Sequence, residues 1–249
     1  MNDLIIPDWK VDPGPARAIS TTRAGGASRP PYDDGAGGAG LNLGQHVGDD
    51  AATVSANRAR LRTLLPADPA WLNQVHGANV VDAAAVAGVP DADASFATRP
   101  GVVCAVLTAD CLPVLFCDLA GRVVAAAHAG WRGLAAGVLR STAARMRDAG
   151  AQQIQAWLGP AIGPSRFEVG GDVLQAFAGI DPAGRHFAAQ GNGKYLADIY
   201  ALARLELHAC GVELVSGGRD CTVDDAARFY SYRRDGVTGR MASLIWIAG

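Results

Sequence analysis

VVAAAHAGWRGLAAGVLRSTAARM runs from Val123 to Met146. Its first five residues are small and apolar without a break, as in a strand covered on both faces. Its second half is apolar at helical spacing, which predicts a helix over Gly133 to Asp148 closed by Gly150 at the C′ position. A buried strand feeding a helix is the unit of an α/β fold. The junction needs a cap and a glycine, but not His128 or Arg132. Unpaired N–H groups and the dipole make a helix start favourable for anions. Arg132 has the wrong sign for that place if helix stability is its only purpose. It fits beside a bound phosphate or carboxylate. Pairing with an acidic neighbour is its plainer role.

Outward from this unit the same alternation continues. GVVCAVLTADCLPVLFC (101–117) is an apolar run broken by Asp110 and Pro113, and predicts two buried strands around a bend. IQAWLG (154–159) and ASLIWIA (242–248) read as buried strands. DDAATVSANRARLRTLLP (49–66) reads as a helix capped by Asp49 or Asp50, with Val54, Leu61 and Leu65 on one face and Pro66 ending it. YLADIYALARLELHAC (195–210) reads as an amphipathic helix ending at Gly211. Strands alternating with helices, some strands joined as hairpins, predict one α/β domain with a mixed sheet over residues 1–249. DDGAGGAGLNLG (33–44) contains Gly35-x-Gly37-x-x-Gly40, but no strand precedes it and no helix comes after. It reads as a surface loop rather than a dinucleotide fingerprint.

The 249 residues carry a net charge of −2, with no basic patch for nucleic acid or anionic lipid. No apolar run reaches the roughly 18 residues that span a bilayer. The start, MNDLIIPDWK, is acidic where a secretory signal is basic, and its apolar stretch is too short for one. The expectation is a cytoplasmic protein with no nucleic-acid, membrane or obligate protein partner.

The five cysteines are odd in number and form no CxxC, against a disulfide framework or a zinc ribbon. The five histidines form neither HExxH nor HxH. His76 in WLNQVHGANVV (71–81), Cys111 after Asp110, and His128 each fall at a break in a strand-like segment. Two imidazoles and a thiolate suit Zn²⁺, and three protein ligands leave a fourth position open, the arrangement of catalytic zinc. The same residues equally make a Cys–His nucleophile pair. Cys104, Cys117, Cys210 and Cys221 read as core.

NQVHG (73–77), TADCLPVLF (108–116) and HAGWRGLAAGV (128–138) resemble the laccase-domain, or YfiH-like, proteins. STTRAGG (20–26), LNLGQHVGDD (41–50), LGPAIGPSRFEVG (158–170) and CTVDDAARFYSYRRDGVTGR (221–240) extend the resemblance along the chain. It implies a layered α/β sandwich shared with the catalytic domain of cytotoxic necrotizing factor, and a zinc held by His76, Cys111 and His128. It implies purine nucleoside phosphorylase activity on adenosine, inosine, guanosine or methylthioadenosine, and in some members adenosine deamination. Older descriptions call the family polyphenol oxidases, and bacterial relatives are linked to peptidoglycan editing. The glycine-rich insertion ahead of LNLG is longer than usual and bears on Asn42 and His46. A multicopper laccase needs about ten histidines, mostly as HxH pairs. Five without such a pair exclude that chemistry and leave at most a single copper at the His–Cys–His site.

In the phosphorylase reading, Arg132 and Arg23 neutralise phosphate, Asn42 and Arg233 line the substrate pocket, and Asp110 backs a ligand or carries a proton. Two other readings stay open. One is a metal-free amide hydrolase, with Cys111 as nucleophile and His128 or His76 as base, suited to peptidoglycan editing. The other is a non-enzymatic zinc-binding module.

Overall fold

The computed structural model describes residues 4–249. Two sheets lie face to face between layers of helix. The larger has six strands in the order Leu214–Gly217, Ile154–Leu158, Leu112–Asp118, Val124–Ala129, Ala94–Ala97, Val80–Asp82. Its pairings are parallel at both ends and antiparallel in the middle. The smaller has four strands in the order Ala16–Ser20, Met241–Ile247, Val103–Thr108, Pro69–Ala70. A three-stranded ribbon, Glu168–Gly170, Lys194–Ala197 and Phe187–Gly191, is separate.

The apolar runs are continuous because both faces of each sheet are covered. Side chains alternate between faces. Leu115, Cys117, Val124, Ala126 and Trp157 point from the large sheet at Cys104, Val106 and Ile245 of the small one. Val114, Phe116, Ala125 and Ala127 face the other way, onto Leu139, Ala143 and Met146 of helix Val138–Asp148 and Leu202, Ala203 and Leu207 of helix Ile199–Ala209. Leu61 of helix Ala51–Arg62 covers the outer face of the small sheet with Leu41, Leu43 and Leu65. Asp50 caps that helix through Thr53 N–H, as its position implied. The layered α/β sandwich with mixed sheet pairing is the expected architecture.

Three local expectations are corrected. The helix predicted over Gly133 to Asp148 is two helices, Trp131–Ala135 and Val138–Asp148, broken where Gly137 takes a left-handed φ of 89°. The amphipathic helix begins only at Ile199, because Lys194–Ala197 is claimed by the ribbon and Asp198 is the helix cap. The segment around His76 is a loop, with His76 itself at φ 60°. The Gly35–Gly40 stretch is a loop in which Asp34 accepts from Ala36 N–H and Gly38 N–H, with strand Ala24–Ser28 and helix Ala51–Arg62 both set apart from it by irregular chain.

Candidate active site

Strand Val103–Thr108 of the small sheet passes to strand Leu112–Asp118 of the large one through Ala109, Asp110 and Cys111. So tight a crossing demands a left-handed residue, and Asp110 supplies it at φ 89°. The bend places Cys111 at the strand ends, beside His128 near the end of Val124–Ala129 and His76 in its loop. The candidate ligand atoms of His76, Cys111 and His128 all lie within 4.8 Å of one another. Cys111 Sγ stands 3.9 Å from His76 Nε2, and the two imidazoles meet edge to face at 4.8 Å between centroids.

Asp93 organises this cluster. It is fully buried, just before strand Ala94–Ala97. Its carboxylate accepts His128 Nδ1–H at 2.8 Å. It also accepts three backbone N–H groups, from Val75 at 3.2 Å, His76 at 2.9 Å and Gly77 at 2.6 Å. One side chain therefore fixes the His76 loop and holds His128 with Nε2 as its free nitrogen. Burial opposes the charge of Asp93, but the bonds from His128, Gly77 and His76 outweigh it and pull the carboxyl below its ordinary pKa.

Cys111 is likewise opposed by burial, yet the neighbouring His128 and His76 bring its thiol down to about 6. Burial lowers His128, while the Cys111 thiolate and Asp93 raise it further, to about 9. A thiolate poised this way is both a metal ligand and a nucleophile. With metal stripped, the alkylation rate of Cys111 by iodoacetamide should be half-maximal near pH 6 and flat above it. A rate still climbing through about pH 8.5, as for an ordinary thiol, contradicts the thiolate assignment.

The glycines of the opening motif are there for space. A Cβ on Gly130 would stand 2.9 Å from His76 Cδ2 and 3.0 Å from Cys111 Sγ, and one on Gly133 2.8 Å from the Gly77 carbonyl oxygen. A side chain at position 130 would fill the place where the three donors converge, and one at position 133 would press on the backbone of the His76 loop.

Two cavities flank the cluster and share His76, Ala109, Cys111 and Tyr232 in their walls. One, of about 280 Å³, is lined by His46, Gln74, Thr108, His128 and Arg240. The other, of about 250 Å³, is lined by Asp110, Trp131, Arg132, Ile162, Phe167 and Arg233. Arg132 lies against the Trp131 ring at 4.3 Å and Arg233 near the Phe167 ring at 5.8 Å.

The structure thus brings together His76, Cys111, His128, Asp110, Arg132 and Arg233, and separates the others. Arg23 is buried away from both cavities, donating to the Asp33 and Ala226 carbonyl oxygens at 2.9 Å, so it is a packing residue rather than a phosphate ligand. Asn42 is fully buried and is corrected from pocket lining to a support, since its Oδ1 accepts Arg240 N–H at 2.9 Å. Asp110 does not back a ligand imidazole; Asp93 does. Both Asp110 oxygens are engaged, by Thr222 Oγ1–H and Arg233 N–H at 2.6 Å each. Of the cysteines read as core, Cys104 and Cys117 are fully buried, but Cys210 and Cys221 are only partly so. Sequence reasoning missed Asp93 and Arg240. An aspartate opening the apolar run ADASFA (92–97) was the available signal for the first. Nothing local marked the second.

A layered α/β protein with a three-donor soft site between two cavities is the class these observations define. The family model described as "Multi-copper polyphenol oxidoreductase laccase" matches residues 17–248, and the chain belongs to that family. It is 52% identical over 249 residues to the purine nucleoside phosphorylase PA4543 of Pseudomonas aeruginosa, covering 99% of each. It is 53% identical over 253 residues to the purine nucleoside phosphorylase YfiH of Escherichia coli, covering 99% of this chain and 100% of that one. The crystal structure of Neisseria meningitidis protein NMB0706 superposes with a TM-score of 0.91 at 50% identity, covering 100% of both chains. YlmD from Geobacillus stearothermophilus gives 0.85 at 33% identity, covering 96% of this chain and 94% of that one. Among the described residues there is one cluster able to hold a metal ion, where multicopper chemistry requires several.

Proposed function

We propose that this chain is a zinc-dependent purine nucleoside phosphorylase, acting on adenosine and related nucleosides such as inosine, guanosine and methylthioadenosine. The observation that carries the reading is the position of His76, Cys111 and His128 in and beside the wall shared by two cavities. Phosphorolysis must bring two separate molecules to one carbon, and two chambers meeting at one reactive centre suit that need. The relatives named purine nucleoside phosphorylase cover nearly the whole chain and support it.

The donor set fits zinc: two imidazoles, one of them oriented by a carboxylate, and a thiolate below its ordinary pKa. A bound zinc ion would supply Lewis-acid charge at a position left open to substrate. The chain's own groups do the rest. His76, Cys111 and His128 hold the centre, Asp93 fixes the His76 loop and His128, and a cavity-wall arginine attracts the anion. In the overall exchange a phosphate oxygen bonds to C1′ as the C1′–N bond breaks. The bonding pair leaves with the base, which takes up the proton that hydrogen phosphate gives up.

Deamination uses the same kind of metal with a carboxylate as acid and base. Among the described residues Asp110 is the one carboxylate in either cavity wall, and both its oxygens are already engaged. That geometry favours phosphorolysis. Chromatography of adenosine incubated with the purified protein, with and without phosphate, tests it. Adenine and ribose 1-phosphate formed only with phosphate are expected. Inosine formed without phosphate, or no conversion at all, overturns the reading.

A further inference from the structure

The two cavities differ in chemistry, and the difference assigns the two substrates. The wall of the first contains Arg240 and His46, and Arg58 stands behind them. Arg58 is half-buried, with its guanidinium 4.2 Å from the centre of the Trp71 ring and its Nε–H donated to the Leu43 carbonyl oxygen. Arg240 is also half-buried. It donates Nη1–H to the Thr238 and Gly239 carbonyl oxygens, and its backbone is tied to Asn42. Among the described residues neither arginine has a carboxylate partner. Burial, Arg240 and Arg58, in that order, lower the pKa of His46. Two half-buried guanidinium groups, Arg240 in the wall and Arg58 behind it, favour an anion beside them, and the exposed His46 offers an imidazole N–H. Among the described residues no carboxylate lines this cavity.

The second cavity is the reverse. Asp110 stands in its wall, so an oxyanion there meets a negative charge. Its arginines have contacts of the same kind as those of the first cavity, Arg132 on the Trp131 ring and Arg233 donating to the Arg166 and Glu168 carbonyl oxygens, so the carboxylate and the apolar wall are what set it apart. Trp131, Phe167, Ile162 and Ile199 give it the flat apolar surface that a heteroaromatic ring seeks.

We propose that Arg240 and His46, backed by Arg58, form the subsite for inorganic phosphate, and that the Trp131–Phe167 cavity takes the purine nucleoside. This deepens the phosphorylase reading and rests on it. It moves phosphate away from Arg132. The nucleoside lies with its base among the apolar side chains and its ribose at the shared wall, where phosphate approaches C1′ from the opposite cavity.

Arg240→Met, His46→Ala and Arg132→Ala, each loaded with zinc, separate the two subsites. Arg240→Met and His46→Ala should raise KM for phosphate by roughly 10- to 100-fold, the scale of a lost charge-assisted contact, and change KM for adenosine by less than about twofold. Arg132→Ala should do the reverse. A calorimetric titration with inorganic phosphate alone, on the zinc-loaded protein, provides a readout independent of turnover. Binding should persist in Arg132→Ala and be lost in Arg240→Met. His46 is exposed, so its variant keeps the test open if Arg240→Met misfolds. A phosphate KM that rises in Arg132→Ala and not in the other two overturns the assignment, as does phosphate binding unchanged in both Arg240→Met and His46→Ala. Phosphate binding with the expected pattern in a protein that does not cleave adenosine would sink the phosphorylase reading and leave the anion subsite standing.

Discussion

Cys111→Ala should lower kcat/KM for adenosine phosphorolysis by at least about a thousandfold while leaving the fold intact. Metal charge at a reacting oxygen is worth several kcal/mol, and each ~1.4 kcal/mol is a factor of ten in rate. Cys111 is the one anionic donor of the three, so its loss leaves two neutral imidazoles to hold a dication. Its side chain is partly exposed at the shared wall, outside the packed layers, so near-UV circular dichroism should match the parent. Activity within about tenfold of the parent in a metal-depleted Cys111→Ala protein contradicts this. It would move the chemistry off the cluster altogether.

Asp93→Ala should be the most destabilising single change near the site. It leaves the backbone N–H groups of Val75, His76 and Gly77 and the Nδ1–H of His128 without their acceptor. A buried donor left unpaired costs about 1–3 kcal/mol, and part of that is recovered where water reaches the exposed His76 loop. A net loss of about 3–5 kcal/mol in denaturant unfolding is expected. Asp93→Asn keeps one acceptor oxygen and should fold better. It no longer offers His128 a charged partner, so metal affinity should fall by about 10- to 100-fold. An Asp93→Ala protein with parental stability and parental metal affinity would show that the His76 loop and His128 hold themselves in place.

Much of this was legible in the residues. Unbroken apolar runs such as 123–127 and 112–117 marked strands buried on both faces, and those strands form the centre of the large sheet. His76, Cys111 and His128 stood out because each polar residue interrupts an apolar segment at a bend. What failed, failed for tertiary reasons. Residues 195–197 have apolar character that suits a helix face, yet their pairing with Phe187–Gly191 and Glu168–Gly170 overrides it. Gly137 sits inside a helical pattern, and only the folded chain shows that it breaks the helix. Asp93 was hidden because a buried carboxylate is justified by its partners, and these come from 16 to 18 residues before it and 35 after it. Arg23 and Arg240 look alike in sequence. One is locked by carbonyl oxygens from distant loops, and the other opens into a cavity.

The central claim is that His76, Cys111 and His128 hold a metal on which activity depends. Metal analysis by mass spectrometry of protein purified without chelator, beside Cys111→Ser prepared identically, tests it most directly. One zinc per chain in the parent and none retained in the folded variant is the expected result. A parent that carries no metal yet cleaves adenosine, or a Cys111→Ser protein that keeps a full equivalent of zinc, would contradict it.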